Sequence, residues 1–175
     1  MAAGFVRRLT LGLPVVVSSA GTIGVVGKPA LNEAQALAAW SGISLADHTS
    51  SRLTHERAAA ADLVLGFEHA HVTYAVIDAG CPRDRVFTLP DLTTLLADIE
   101  PVDASLPLAA RARERVRRAH ELRAALGGST TQEVADPFGK SKRVAKRTAA
   151  ELRRLCSELA ERLFDVSARG AFPDN

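Results

Sequence analysis

Three short apolar segments, each bounded by turn residues, constrain the fold most strongly. They are residues 15–17, 62–67 and 85–89, and their length and β-branched content favour buried strands over helices. Segments with helical patterns lie between them. Near-continuous apolar strands that alternate with helices are typical of a parallel sheet covered on both faces. The sequence therefore predicts an α/β fold.

Capping residues and glycines set the expected ends of the helices. Asn32, with Gln35 three residues later, has the spacing of a capping box, Thr54 is a second N-cap, and Gly42 and Gly80 end two helices. The expected helices span residues 2–11, 32–41, a short stretch after 54, 68–79, 108–126 and about 141–164.

Length and composition indicate one domain. The chain has 175 residues, of which 47% are hydrophobic and 24% charged, and it contains no apolar run long enough for a membrane span. We expect a single domain over residues 1–166, with an insertion at 90–135 that carries a basic helix, and a frayed tail at 167–175. Two widely separated cysteines and the lack of a secretory signal predict a cytoplasmic location.

The charge balance is mild, but the basic residues are clustered. A net charge of +2 does not indicate a nucleic-acid partner. Six arginines lie between Arg111 and Arg123, and seven basic residues lie between Lys140 and Arg154. The first cluster has two interpretations: a solvated helix face with a Glu114–Arg118 pair, or a surface for an anionic partner.

Three segments, in this order, resemble the low-molecular-weight protein-tyrosine phosphatases. The first is residues 17–22 (VSSAGT) followed by residues 27–30 (GKPA). The second is residues 42–45 (GISL), with 51–54 (SRLT) and 61–65 (ADLVL), and the third is residues 136–139 (DPFG). The order and spacing of these segments, more than any one of them, carry the resemblance.

The resemblance implies a flavodoxin-like parallel sheet flanked by helices, and hydrolysis of a phosphotyrosine protein or an aryl phosphate. In that family the cysteine of a C-x5-R-[ST] loop attacks phosphorus, and an aspartate protonates the leaving oxygen. Asp136 matches this catalytic acid. Phe138 matches an apolar wall for the substrate, and Gly27, Pro29 and Leu31 match the segment that flanks the pocket mouth.

The sequence departs from the family pattern at its beginning. Family members often read Arg-Ser-Pro-Met-Ala directly after the phosphate loop, whereas this sequence opens Met1-Ala2. We therefore expect the central first strand and the loop with its nucleophile to be missing, and the chain as given to be inactive. The alternatives are a non-catalytic binding protein that uses its basic surface, and an arsenate reductase of the same fold.

Neither cysteine is expected to replace the missing nucleophile. Cys156 and Arg162 have the C-x5-R spacing, but the residues between them include two glutamates and no glycine and lie in a helix. Such a segment cannot wrap free N–H groups around a phosphate. Cys81 is followed six residues later by Phe87. The histidines lack metal-ligand spacing, so no metal and no cofactor are predicted.

Overall fold

A computed structural model describes residues 1–23, 25–128, 132–137 and 139–173. The described elements are α1 (Ala2–Leu9), α2 (Asn32–Trp40), α3 (His55–Ala60), β1 (Val64–Gly66), α4 (His69–Thr73), β2 (Val86–Thr88), α5 (Leu89–Asp98), α6 (Leu108–Ala125) and α7 (Lys142–Phe164). Helix α4 continues as a π-helical turn, Tyr74–Asp78, and a 3-10 turn, Arg83–Arg85, precedes β2.

The two strands form a parallel pair. Val64 lies opposite Val86 and Gly66 opposite Thr88, and α4 with its π-helical turn makes the connection between the strands. All three residues of β2 are buried. The predicted α/β fold, with a parallel sheet flanked by helices, is confirmed.

The strand predicted at residues 15–17 does not form. Val16 is 98% exposed, and the segment is irregular. Carbonyl groups in and just after this segment accept from side chains instead: Val17 O accepts from Arg7 Nε (2.9 Å), and Ser19 O accepts from the Ser51 hydroxyl (2.9 Å). A strand needs a neighbour for its backbone groups. In the ranges that the structure describes, the sheet has only β1 and β2, so each strand has one unpaired edge.

Helix α7 runs through the main hydrophobic core. It packs against α1 and α5, and its apolar face buries Leu159 and Leu163 against residues such as Phe5. The end of the chain also packs there. The ring of Phe172 makes an edge-on contact with Phe5, with 5.4 Å between centroids, and Arg153 donates to Pro173 O. Residues 171–173, expected to be frayed, therefore contact the body of the protein.

No helix in the described ranges is both long enough and apolar enough to cross a membrane.

An ion pair joins α6 to the end of α7. The Arg115 guanidinium donates to both carboxylate oxygens of Asp165 (2.7 and 3.0 Å), and Arg111 lies 3.2 Å from the same group. Asp165 ends α7 in the left-handed conformation, with φ of 59°. These guanidinium groups, Arg115 first, hold the pKa of Asp165 below its ordinary value of 3.8.

Replacing Asp165 by asparagine should make the free energy of unfolding depend less on pH in the acidic range. A carboxylate whose pKa is lowered by folding stabilises the protein above its ordinary pKa and loses this effect as the pH falls toward the folded value. The pair is partly exposed, so we expect a loss of about 0.5–1 kcal/mol at neutral pH that diminishes as the pH falls below the ordinary carboxyl pKa of 3.8. Urea unfolding from pH 7 to pH 2 measures this, and a constant difference between the two proteins over that range would contradict it.

Candidate active site

The loop that carries Asp136 is attached to the carboxyl end of β1. Val134 N–H donates to Phe67 O (2.9 Å), one residue beyond the strand, and the Val134 side chain is buried. The Glu133 carboxylate accepts from the backbone N–H of His69 (2.6 Å). In parallel sheets ligands bind outside the carboxyl ends of the strands. The loop therefore lies at the edge where a site is expected.

Asp136 itself is exposed at this edge. The chain turns directly after it: Lys140 N–H donates to Pro137 O (3.0 Å), and Gly139 has a positive φ of 70°. An exposed carboxyl group on an anchored turn can reach a bound substrate, which proton transfer requires. Phe138, the predicted apolar wall, lies outside the described residues.

Sequence reasoning missed the two residues that anchor this loop. Glu133 and Val134 were not singled out, although one signal was present. Val134 is an apolar residue in an otherwise polar stretch, and such a residue commonly fixes a loop to the core.

The predicted mouth segment pairs with the chain around Ser50. Gly27 N–H donates to Ser50 O (2.8 Å), Ser50 N–H donates to Lys28 O (2.8 Å), and Pro29 forms an antiparallel bridge with Thr49. Gly27 has a φ of 81°, which favours glycine at this turn. The structure thus brings Gly27 and Pro29 together with residues 49–50, whereas Leu31 precedes α2 and is 60% exposed.

Both cysteines are buried away from this edge. Burial raises the pKa of the Cys81 thiol, which lies 3.8 Å from Ala58 O, and raises the pKa of Cys156 to about 12. A thiolate nucleophile requires the opposite shift. The Cys156–Arg162 spacing lies within α7, and Arg162 donates to Thr93 O (2.6 Å). Neither cysteine belongs to a phosphate-binding loop.

Histidine side chains serve local structure in the described residues. His71 Nδ1 accepts from the backbone N–H groups of Phe67 and Glu68, and His55 contacts Ala79 O. Within the same residues, no group of three or more potential metal ligands occurs.

The arginines of α6 are engaged in structural contacts. The Glu114–Arg118 pair expected from the sequence is present (2.8 Å). The other contacts are Arg111 and Arg115 with Asp165, Arg113 with Asp62, Arg117 with Glu114 and Glu121, and Arg123 with the carbonyl groups of Val86 and Arg83. These contacts favour the interpretation of α6 as a structural helix over an anionic-partner surface.

The fold and the loop define an α/β protein with a candidate acid at the carboxyl end of a parallel sheet. The family model described as low molecular weight phosphotyrosine protein phosphatase matches residues 1–103. The chain belongs to this family, and that prediction is confirmed. The match gives no support to the predicted absence of the first strand and the nucleophile loop, which remains a proposal.

Similar proteins include phosphatases whose names refer to arginine and others whose names refer to tyrosine. A protein-arginine-phosphatase of Bacillus subtilis is 32% identical over 152 residues, covering 87% of this chain and 78% of that protein. The solved structure of a YwlE mutant from Bacillus subtilis is 29% identical, with a TM-score of 0.67, and covers 93% of this chain and 87% of that one. A low molecular weight protein tyrosine phosphatase from T. tengcongensis is 26% identical, with a TM-score of 0.67 and coverage of 93% and 88%.

Proposed function

We propose that this chain forms the body of a protein phosphatase in which Asp136 is the general acid. The observation that carries the proposal is the attachment of the Asp136 loop to the carboxyl end of β1 through Val134 and Phe67. Membership of a phosphatase family supports the reaction class. Asp136 lies outside the matched residues 1–103, so its role rests on the DPFG motif and on this placement.

The acid acts in two steps. In the first, a thiolate attacks phosphorus, the bond to the leaving atom breaks, and Asp136 gives that atom its proton. In the second, the Asp136 carboxylate takes a proton from water, whose oxygen attacks phosphorus and releases the thiolate and inorganic phosphate. The substrate is thereby hydrolysed with no net change in the enzyme.

The thiolate must come from a segment other than the two cysteines of this chain. Cys81 and Cys156 are both buried, with raised pKa values. We propose a strand with a C-x5-R-[ST] loop that enters before α1, and that residues 1–175 are inactive without it. The strand edges that are unpaired within the described residues support this, because an added strand would satisfy their backbone groups.

Phosphoarginine in proteins is the first candidate substrate, and phosphotyrosine is the second. The 32% identical relative is named for arginine, whereas the family description and the T. tengcongensis structure are named for tyrosine. Both leaving groups, a guanidine nitrogen and a phenol oxygen, need a proton, so Asp136 suits either.

The test is to restore the missing part. An extended protein with an added strand and a C-x5-R-S loop should hydrolyse para-nitrophenyl phosphate, and residues 1–175 alone should not. The kcat/KM values for phosphoarginine and phosphotyrosine peptides are then compared to decide which is the preferred substrate. An inert but folded extended protein would refute the phosphatase and favour a non-catalytic binding protein. Turnover by residues 1–175 that is lost on replacing Cys81 or Cys156 would refute the inactivity.

The arsenate reductase alternative has less support. Its chemistry passes a disulfide between nearby cysteines. Cys156 lies in the main core, whereas Cys81 lies in a separate cluster with Ala58 and with Val86 of β2.

A cytoplasmic location stays a prediction.

A further inference from the structure

The first two turns of α7, together with Lys140 just before them, carry a group of cations that has no acidic counterpart among the described residues. We define the basic patch as Lys140, Lys142, Arg143, Lys146 and Arg147, all of which are exposed. Residues 140–150 include no aspartate or glutamate. Within the described ranges, none of the five forms an ion pair. The patch therefore differs from α6, where carboxylates contact most of the arginines.

Helix geometry gathers the patch on one side of α7. Lys142 and Lys146 are four residues apart, as are Arg143 and Arg147, so the two pairs form adjacent rows. The Lys146 ammonium lies 4.4 Å from the centre of the Trp40 ring, which orients its row toward α2. Along α7, from Lys142 to Arg147, the patch extends about 8 Å.

The position of these cations is unfavourable for the helix itself. The amino end of a helix is the positive end of its dipole and favours acidic residues. The first turn of α7 contains no acidic residue and begins with Lys142 and Arg143. Repulsion between these cations and their position at the positive end of the helix dipole both destabilise the folded state, and no carboxylate in the described chain offsets this. Binding of an external anion would therefore stabilise the protein.

We propose that the basic patch docks an acidic segment of the protein substrate, close to its phosphorylated residue. Describing this segment as substrate rests on the proposed function. The turn from Pro137 to Lys140 places the patch directly after Asp136, within about 14 Å along the chain. A net charge of +2 and the short patch fit an acidic peptide better than a nucleic-acid backbone, which needs an extended basic stripe.

Binding by the 175-residue protein tests the proposal without turnover. The probe is a short fluorescein-labelled peptide of alternating glutamate and glycine, followed by fluorescence anisotropy at low and physiological salt. The patch variant combines Lys142→Gln, Arg143→Gln and Arg147→Gln. The control variant makes the same change in net charge at paired arginines, with Arg113→Gln, Arg117→Gln and Arg154→Gln.

The patch variant should bind the peptide about tenfold more weakly, and the control should stay within about twofold of the original protein. An equal loss in both variants would overturn the proposal, because net charge alone would explain it. Absence of binding, or tighter binding of a duplex oligonucleotide through the same residues, would also overturn it. Since no catalysis is involved, an inert extended enzyme that still binds the peptide refutes the phosphatase and not the docking surface.

Discussion

Replacing Asp136 by asparagine in the extended enzyme should lower kcat by about a hundredfold or more for an unactivated aryl phosphate such as phenyl phosphate. Asparagine keeps the shape of the side chain but has no proton to give to the leaving oxygen. The loss should shrink for para-nitrophenyl phosphate, because an acidic phenol leaves without much protonation. Steady-state kinetics on the two substrates measure both values.

The matched control for this substitution is Glu133→Gln. Glu133 lies three residues earlier on the same loop, and its carboxylate accepts from His69 N–H instead of facing a substrate. We expect it to affect both substrates equally and by a small factor. If Asp136→Asn also slowed both substrates equally, Asp136 would be a structural residue of the turn and not the acid.

Replacing Arg123 by methionine should destabilise the protein by about 3 kcal/mol or more, since it removes the guanidinium that faces a buried carboxylate. Arg123 is 3% exposed, and its guanidinium lies 3.9 Å above the Phe87 ring and donates to Val86 O (2.8 Å). The carboxylate of Asp91 lies 4.0 Å away and is also buried. Desolvation lowers the pKa of Arg123 to about 10, so it remains charged at neutral pH.

Urea unfolding of Arg123→Met and Arg113→Met makes the comparison. Arg113 forms an exposed pair with Asp62 (2.9 Å), and its removal should cost less than about 1 kcal/mol. Adding Asp91→Leu to Arg123→Met should recover part of the stability, because an apolar pair replaces a buried charge. Equal losses in the free energy of unfolding for the two arginine substitutions would contradict the prediction, because the buried contacts of Arg123 would then contribute no more than the exposed pair of Arg113.

Local patterns in the sequence predicted most of the elements correctly. Thr54 caps α3 by accepting from Arg57 N–H, as predicted. The capping box predicted at Asn32 is wrong, because Leu31 is the N-cap of α2 and no side chain caps this helix. The segments 62–67 and 85–89 contain β1 and β2. Each of these signals depends on residues within a few positions of each other, which a single sequence contains in full.

The failures involve contacts between distant parts of the chain. The strand expected at residues 15–17 has the right composition, but a strand also needs a neighbour, and composition does not supply one. The partners of the α6 arginines are similarly remote: Asp62 lies 51 residues from Arg113, and Asp165 lies 50 from Arg115. The proposed role of Asp136 comes from a family resemblance, and the anchoring of its loop by Val134 required the structure.

The short connection between β1 and β2 has a consequence for folding kinetics. Val64 and Val86 pair across a small sequence separation, so closing this loop costs little chain entropy. The contact between Ala2 and Cys156 joins residues 154 positions apart. Contacts between residues close in sequence favour early formation, so we expect the parallel pair and its crossover to assemble before α1 docks on α7.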